Sequence, residues 1–196
     1  MTAPSRYSLV AIVLHWTIAL LIIGMMGAGL WMTGAIKEKD TQKLAFDVYQ
    51  LHKSVGLTIL ALSVLRLIWR LTHTAPALPG GMQAWERIAA HATHWLFYGL
   101  MLGLPISGWL MVSASPWGLP TLFFSGPEVP HLPVLAELDQ AGKMLWEGRF
   151  KEAHEFMAFG GMALIAMHIG AALKHQFIAK DNIFARMIPG LGKSGA

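Results

Sequence analysis

The chain of 196 residues contains no cysteine. That absence excludes iron–sulfur clusters, thiolate-ligated haem and covalent c-type attachment through Cys-x-x-Cys-His. It leaves the redox compartment undetermined. Charge is also scarce. Asp, Glu, Lys and Arg make up 13% of the chain, about half of the roughly 25% usual in a soluble domain. Apolar residues reach 55% and the mean hydropathy is +0.49, which places the chain in a membrane, with lipid as its surroundings. The length leaves no room for a second domain. There is no convincing internal repeat, and nothing in the sequence points to nucleic acid as a partner.

In place of charge stand four apolar runs, each near the ~20 residues that cross a bilayer. They cover about 8–33, 51–71, 91–113 and 153–178. The first lies in an uncharged stretch from Tyr7 to Ile36, and the third in one from Ile88 to Pro127. A cleaved signal peptide does not fit the first run, because only one positive charge precedes it and His15 and Trp16 sit within it. The expected fold class is therefore all-α, an integral membrane four-helix bundle forming one domain over 1–196. Pro105 is expected to kink the third span. The connection Ala114–Glu152 opens with Pro116, Trp117, Phe123 and Phe124, which suits an interfacial loop with aromatic anchors. Within it, Leu135–Phe150 has the spacing of a short surface helix.

With four spans both termini share a side. That side holds eight basic residues: Arg6, Arg66, Arg70, Arg87, Lys174, Lys180, Arg186 and Lys193. The other holds seven: Lys37, Lys39, Lys43, Lys53, Lys143, Arg149 and Lys151. The positive-inside rule then places both termini in the cytoplasm.

The most informative residues are His154 and His168, fourteen apart on the fourth span. Fourteen helical residues rise about 21 Å and bring the second side chain back to within about 40° of the first. One helix thus presents two imidazoles on one face, near opposite sides of a ~30 Å hydrocarbon core. Antiparallel neighbours put His52 level with His154. His15, about 27 Å deep at 1.5 Å per residue, is level with His168. Two bis-histidine sites follow, and so two stacked haems and electron transfer across the membrane. On the terminus side the match is not unique: His94 lies at a similar depth, with His91 and His175 slightly further out. A single membrane histidine often only bonds across a bundle. Two level pairs facing one interior are harder to dismiss, because polar groups at that depth are costly. A zinc or copper site is the alternative, disfavoured by the lack of cysteine and of carboxylates deep in the spans.

Other residues fit the same picture. Gly161 lies midway between His154 and His168 on their face, where a flat macrocycle needs room; ordinary small-residue packing is the equal alternative. Arg66 and Arg70, four apart, suit haem propionates or snorkel to headgroups. His175, His91 and Arg87 lie near the terminus-side face as groups for a quinone, or as parts of solvated helix ends.

The ordered motifs resemble those of the bacterial cytochrome b561 family. They are Leu14-His15-Trp16, Leu51-His52-Lys53 with Gly56, Ala90-His91 through His94, Leu104-Pro105, His154-Glu155, His168, His175, Lys180-Asp181-Asn182 and Met187-Ile188-Pro189. The resemblance covers nearly the whole chain. It implies four transmembrane helices, two haems b, axial ligation by His15, His52, His154 and His168, a bacterial inner-membrane location and exchange with the quinone pool. One branch is similar to a superoxide:ubiquinone oxidoreductase, which makes a superoxide:quinone oxidoreductase the expected activity. An entry patch for that anion would be Lys53, Lys39 and Lys43. However, Ala114–Glu155 carries three basic and six acidic residues, a net −3. A periplasmic redox protein as donor, with the chain as an electron-transfer subunit, is the alternative.

Overall fold

The computed structural model describes residues 6–181 and 183–188. Asn182, Pro189 and Lys193 lie outside the described residues. Among the described residues five α-helices run in chain order: α1 Leu9–Ala35, α2 Gln42–Thr72, α3 Ala84–Ser113, the single turn α4 Pro133–Ala136, and α5 Gln140–Lys174. There is no strand among the described residues beyond one isolated bridge, Leu122 to Glu128. Among the described residues four helices are long and apolar enough to cross a membrane, α5 counting with the π turn His175–Ala179 that extends it.

Local chemistry sets the helix ends. Ser8 caps α1 by accepting from Ala11 N at 3.2 Å. Glu86 reaches back to Gln83 N at 3.1 Å and secures the start of α3. Asp139 caps α5 through Gly142 N at 2.7 Å. Each cap satisfies a backbone N–H that the first turn leaves without an intrahelical partner. Pro105 sits inside α3, which continues through it although its ring cannot donate to the Met101 carbonyl.

The separate surface helix expected over Leu135–Phe150 is not what forms. The short turn α4 ends at Ala136, and Asp139 starts α5, which then runs unbroken into the span. No proline interrupts Gln140–Lys174, so the polar segment continues the apolar one. At 1.5 Å per residue the fourteen residues from Gln140 to His154 project about 21 Å beyond that histidine.

Helix α1 packs on α2, α2 on α3 and α3 on α5. No comparable packing joins α5 to α1 or α2. One contiguous cluster of buried apolar side chains joins Ile18, Tyr98 and Met101, with Ile22, Leu62 and Leu67 packed against it. Along the spans, large side chains such as Leu20 (67% exposed), Leu65 (55%) and Phe159 (60%) point outward. In water such a surface would aggregate; against lipid it is the matching one.

The described ends meet on one side. Trp16 Nε1 donates to Met187 O at 2.7 Å and Arg6 to Ile188 O at 3.1 Å. Arg186 donates to Ala77 O in the α2–α3 loop at 2.6 Å. On the far side, the loop after α3 folds back over the start of α2. Ser54 Oγ donates to Leu122 O at 3.0 Å and accepts from Phe124 N at 2.9 Å, while Ser113 Oγ accepts from Leu132 N at 3.1 Å. Phe124 and Ser125 take positive φ of 48° and 59° to make this return, a conformation uncommon outside glycine.

Candidate functional site

At each of two levels of the bundle an imidazole of α5 meets one from another helix, with the rings tilted edge to face. On the far side the rings of His52 (α2) and His154 (α5) have centroids 6.4 Å apart with planes at 63°. On the terminus side His15 (α1) and His168 (α5) are 6.3 Å apart at 65°. Metal–imidazole bonds are about 2 Å long, so one metal ion bound axially by two imidazoles holds their ring centres about 6 Å apart. Both pairs match that separation. Among the described residues no cluster of three donors is close enough to hold a bare metal ion.

The surroundings fit coordination. His154 Nδ1 lies 3.1 Å from Leu104 O and 2.9 Å from Ser107 Oγ, and Ser107 donates to the same carbonyl at 2.8 Å. A carbonyl only accepts, so Nδ1 carries the proton and Nε2 is left with its lone pair for a metal. His52 Nδ1 is buried without a hydrogen-bond partner among the described residues, a costly state for a polar atom. Two glycines border the far-side rings. A Cβ on Gly29 would lie 3.6 Å from His52 Cε1, and one on Gly108 would lie 3.5 Å from His154 Cε1.

Ser107, Gly29 and Gly108 were not anticipated from sequence. A signal existed for the glycines: Gly29 follows His15 by fourteen residues and Gly108 follows His94 by fourteen, the same spacing as His154 to His168.

The remaining candidates divide. Gly161 is buried midway on α5, and a Cβ there would lie 3.6 Å from Met26 Cε and 3.8 Å from Leu100 Cδ1. It faces α1 and α3 side chains between the two levels. Arg66 lies close enough for its charge to act on His15, His94 and His168. Neither Arg66 nor Arg70 has a carboxylate partner among the described residues.

A cavity of about 500 Å³ opens on the terminus side, lined by Arg70, Arg87, His91 and residues of the segment Thr74–Leu78. Arg87 and His91 therefore converge there, and Arg70 joins them. His175 does not line it; its Nδ1 contacts Asp181 Oδ2 at 2.6 Å. Asp181 also holds Ile183 N.

On the far side Lys53 is half-buried and donates to Pro120 O at 2.9 Å, so it pins the loop. Lys39 and Lys43 are exposed, at the α1–α2 turn and the first turn of α2. His131, absent from the sequence reading, joins this region through Thr121 Oγ1 at 3.2 Å. Burial, then the Lys53 charge, push its pKa below the ordinary histidine value, partly opposed by Glu128.

A sequence profile of prokaryotic cytochrome b561 matches residues 6–190. The chain belongs to the prokaryotic cytochrome b561 family. This b561 chain is 34% identical over 194 residues to cytochrome b561 homolog 2 of Escherichia coli, covering 98% of the chain and 95% of that protein. It is 30% identical over 185 residues to cytochrome b561 homolog 1 of the same organism, covering 94% and 98%. It is 28% identical over 186 residues to the probable superoxide oxidase CybB of Yersinia pestis, covering 94% and 96%. It is thus a multi-pass membrane electron-transfer protein of a family that binds b-type haem.

Proposed function

We propose that this b561 protein, acting as one membrane domain, carries two haems b and moves electrons from a one-electron donor on the far side to quinone on the terminus side. The observation that carries this reading is the pair of imidazole couples, 6.4 Å and 6.3 Å between ring centres, at two depths of a spanning bundle. Their levels are about 21 Å apart along α5. His52 and His154 would hold the far-side haem, and His15 and His168 the other, with Arg66 and Arg70 on propionates. Haem b supplies reversible one-electron chemistry at each level when bound. With two imidazoles held for each haem, the iron would need no further ligand, and donor and acceptor would exchange electrons without binding to it.

The substrates follow from the two faces. The cavity between Arg70, Arg87 and His91 suits a quinone head: guanidinium and imidazole N–H groups donate to its carbonyls. Reduction of one quinone takes two electrons and two protons, and His91 at the cavity wall is placed to pass protons from the terminus side. His175, held by Asp181, stands outside the lining and serves at most the approach to it. The donor we favour is superoxide, with ubiquinone as acceptor. Two superoxide anions each lose one electron and leave as O2, and one quinone becomes quinol. The similarity to a probable superoxide oxidase supports this choice. The membrane is the bacterial inner membrane, with both termini cytoplasmic by the balance of eight basic residues against seven.

One observation favours a different donor. The far-side stretch Ala114–Glu155 is net −3, and the Lys53 ammonium is taken up by Pro120 O. A basic redox protein docking there is the second reading. Pyridine haemochrome analysis of the purified protein is expected to give two haems b per chain; one would defeat the proposal. Stopped-flow mixing with superoxide, with and without ubiquinone, then separates the donors. Rapid haem reduction and quinone-dependent reoxidation support superoxide, and an inert response supports the protein partner.

A further inference from the structure

The two levels differ in one respect: His52 and His154 meet as a pair, whereas around His168 two further imidazoles, His15 and His94, come close. His94 of α3 lies with its ring centroid 6.1 Å from that of His168, planes at 72°. The proposed axial pair His15 and His168 shows 6.3 Å and 65°. By separation and tilt the two couples are equivalent, and His168 is common to both. The placement follows from helix periodicity. On α1, α3 and α5 the residues fourteen apart are His15 and Gly29, His94 and Gly108, and His154 and His168. Gly108 lies against His154 and Gly29 against His52 at the far level. So α1 and α3 each turn glycine toward the far-side rings and histidine toward the terminus-side ring. Arg66 lies near all three terminus-side imidazoles.

We propose that His94 is an alternative axial ligand at the terminus-side level, able to replace His15 opposite His168. The proposal rests on the di-haem reading above. It assigns the chain a redundancy on one side only: at the far level nothing stands in for His52, because Gly108 and Gly29 occupy the corresponding positions.

The experiment reads spin state rather than activity. Electron paramagnetic resonance and optical spectra are recorded for the membrane-purified wild type and for His15→Ala, His94→Ala and His15→Ala/His94→Ala. A wild type without two low-spin haems overturns the di-haem reading itself. Given two, the expected results are as follows. His15→Ala keeps two haems per chain, both low-spin, with altered g-values for one. His94→Ala keeps both with wild-type g-values. The double variant loses one low-spin haem. A high-spin signal or loss of one haem in His15→Ala overturns the proposal, as does a double variant that stays fully low-spin, which would indicate some other ligand. Loss of a haem in His94→Ala with His15 intact overturns it too, since His94 would then be the primary ligand. If His15→Ala does not accumulate, His15→Gly is purified with free imidazole bound in place of the side chain, and the imidazole is then dialysed away. Retention of the low-spin signal supports His94 as the replacement, and conversion to high spin overturns it.

Discussion

Replacing Ser107 by alanine tests the far-side site through an atom that touches no metal. The Ser107 hydroxyl contacts His154 Nδ1 at 2.9 Å and donates to Leu104 O at 2.8 Å. Ser107→Ala removes both contacts but leaves Nδ1–H its carbonyl partner at 3.1 Å. No buried donor is orphaned, so the cost stays near the net worth of a hydrogen bond, about 1 kcal/mol, below the penalty of an unsatisfied group. An acceptor on Nδ1–H makes the imidazole a more basic ligand and favours the oxidised metal. Losing one such acceptor raises the far-side midpoint potential. A tenfold change corresponds to about 59 mV for a one-electron couple, so about 1 kcal/mol sets a ceiling of roughly 40 mV. Spectroelectrochemical titration of wild type, Ser107→Ala and Ser107→Thr measures it. The expected result is an upward shift of one haem by tens of millivolts at most, an unmoved second haem, and recovery toward wild type in Ser107→Thr. A downward shift, or equal shifts in both haems, would refute the assignment of Ser107 and His154 to one site.

His52→Ala and His154→Ala should each remove the same haem, and His168→Ala the other; low-temperature spectra identify which is lost, and loss of a common haem from His52→Ala and His168→Ala would show the pairing to be wrong. Lys39→Gln/Lys43→Gln should slow haem reduction by superoxide and flatten its salt dependence as the Debye length falls from about 30 Å at 0.01 M to about 10 Å at 0.1 M; a wild-type rate that rises with salt would favour the basic protein donor. His131 should titrate below about 6.5, the ordinary histidine value, with Lys53→Gln moving it up and Glu128→Gln moving it down, as followed by NMR of labelled histidine; the reverse order would mean these charges do not face it. Because the folded loop disfavours the imidazolium, its contribution to stability is present above pH about 6.5 and declines as pH falls below it, which hydrogen exchange of the loop backbone would report.

The sequence by itself determined the apolar composition, the long apolar helices and the spacing of the histidines along them. These are properties of local composition and of a fixed rise per residue, which no distant contact alters. The fourteen-residue step from His154 to His168 placed two imidazoles on one face before any fold was known. Depth alone could not say whether His15 or His94 meets His168. The tertiary structure brings both within about the same distance, because α1 and α3 flank α5 with histidines at one level. It also decided that Asp139 starts a helix that does not stop before the membrane, that Ser107 and Leu104 fix the His154 ring, and that Lys53 is tied to Pro120. The ring and lysine contacts join residues 47 to 67 positions apart. Periodicity along one helix carries no information on which face of another helix, or which carbonyl of a folded loop, will be opposite; packing the helices together supplies it.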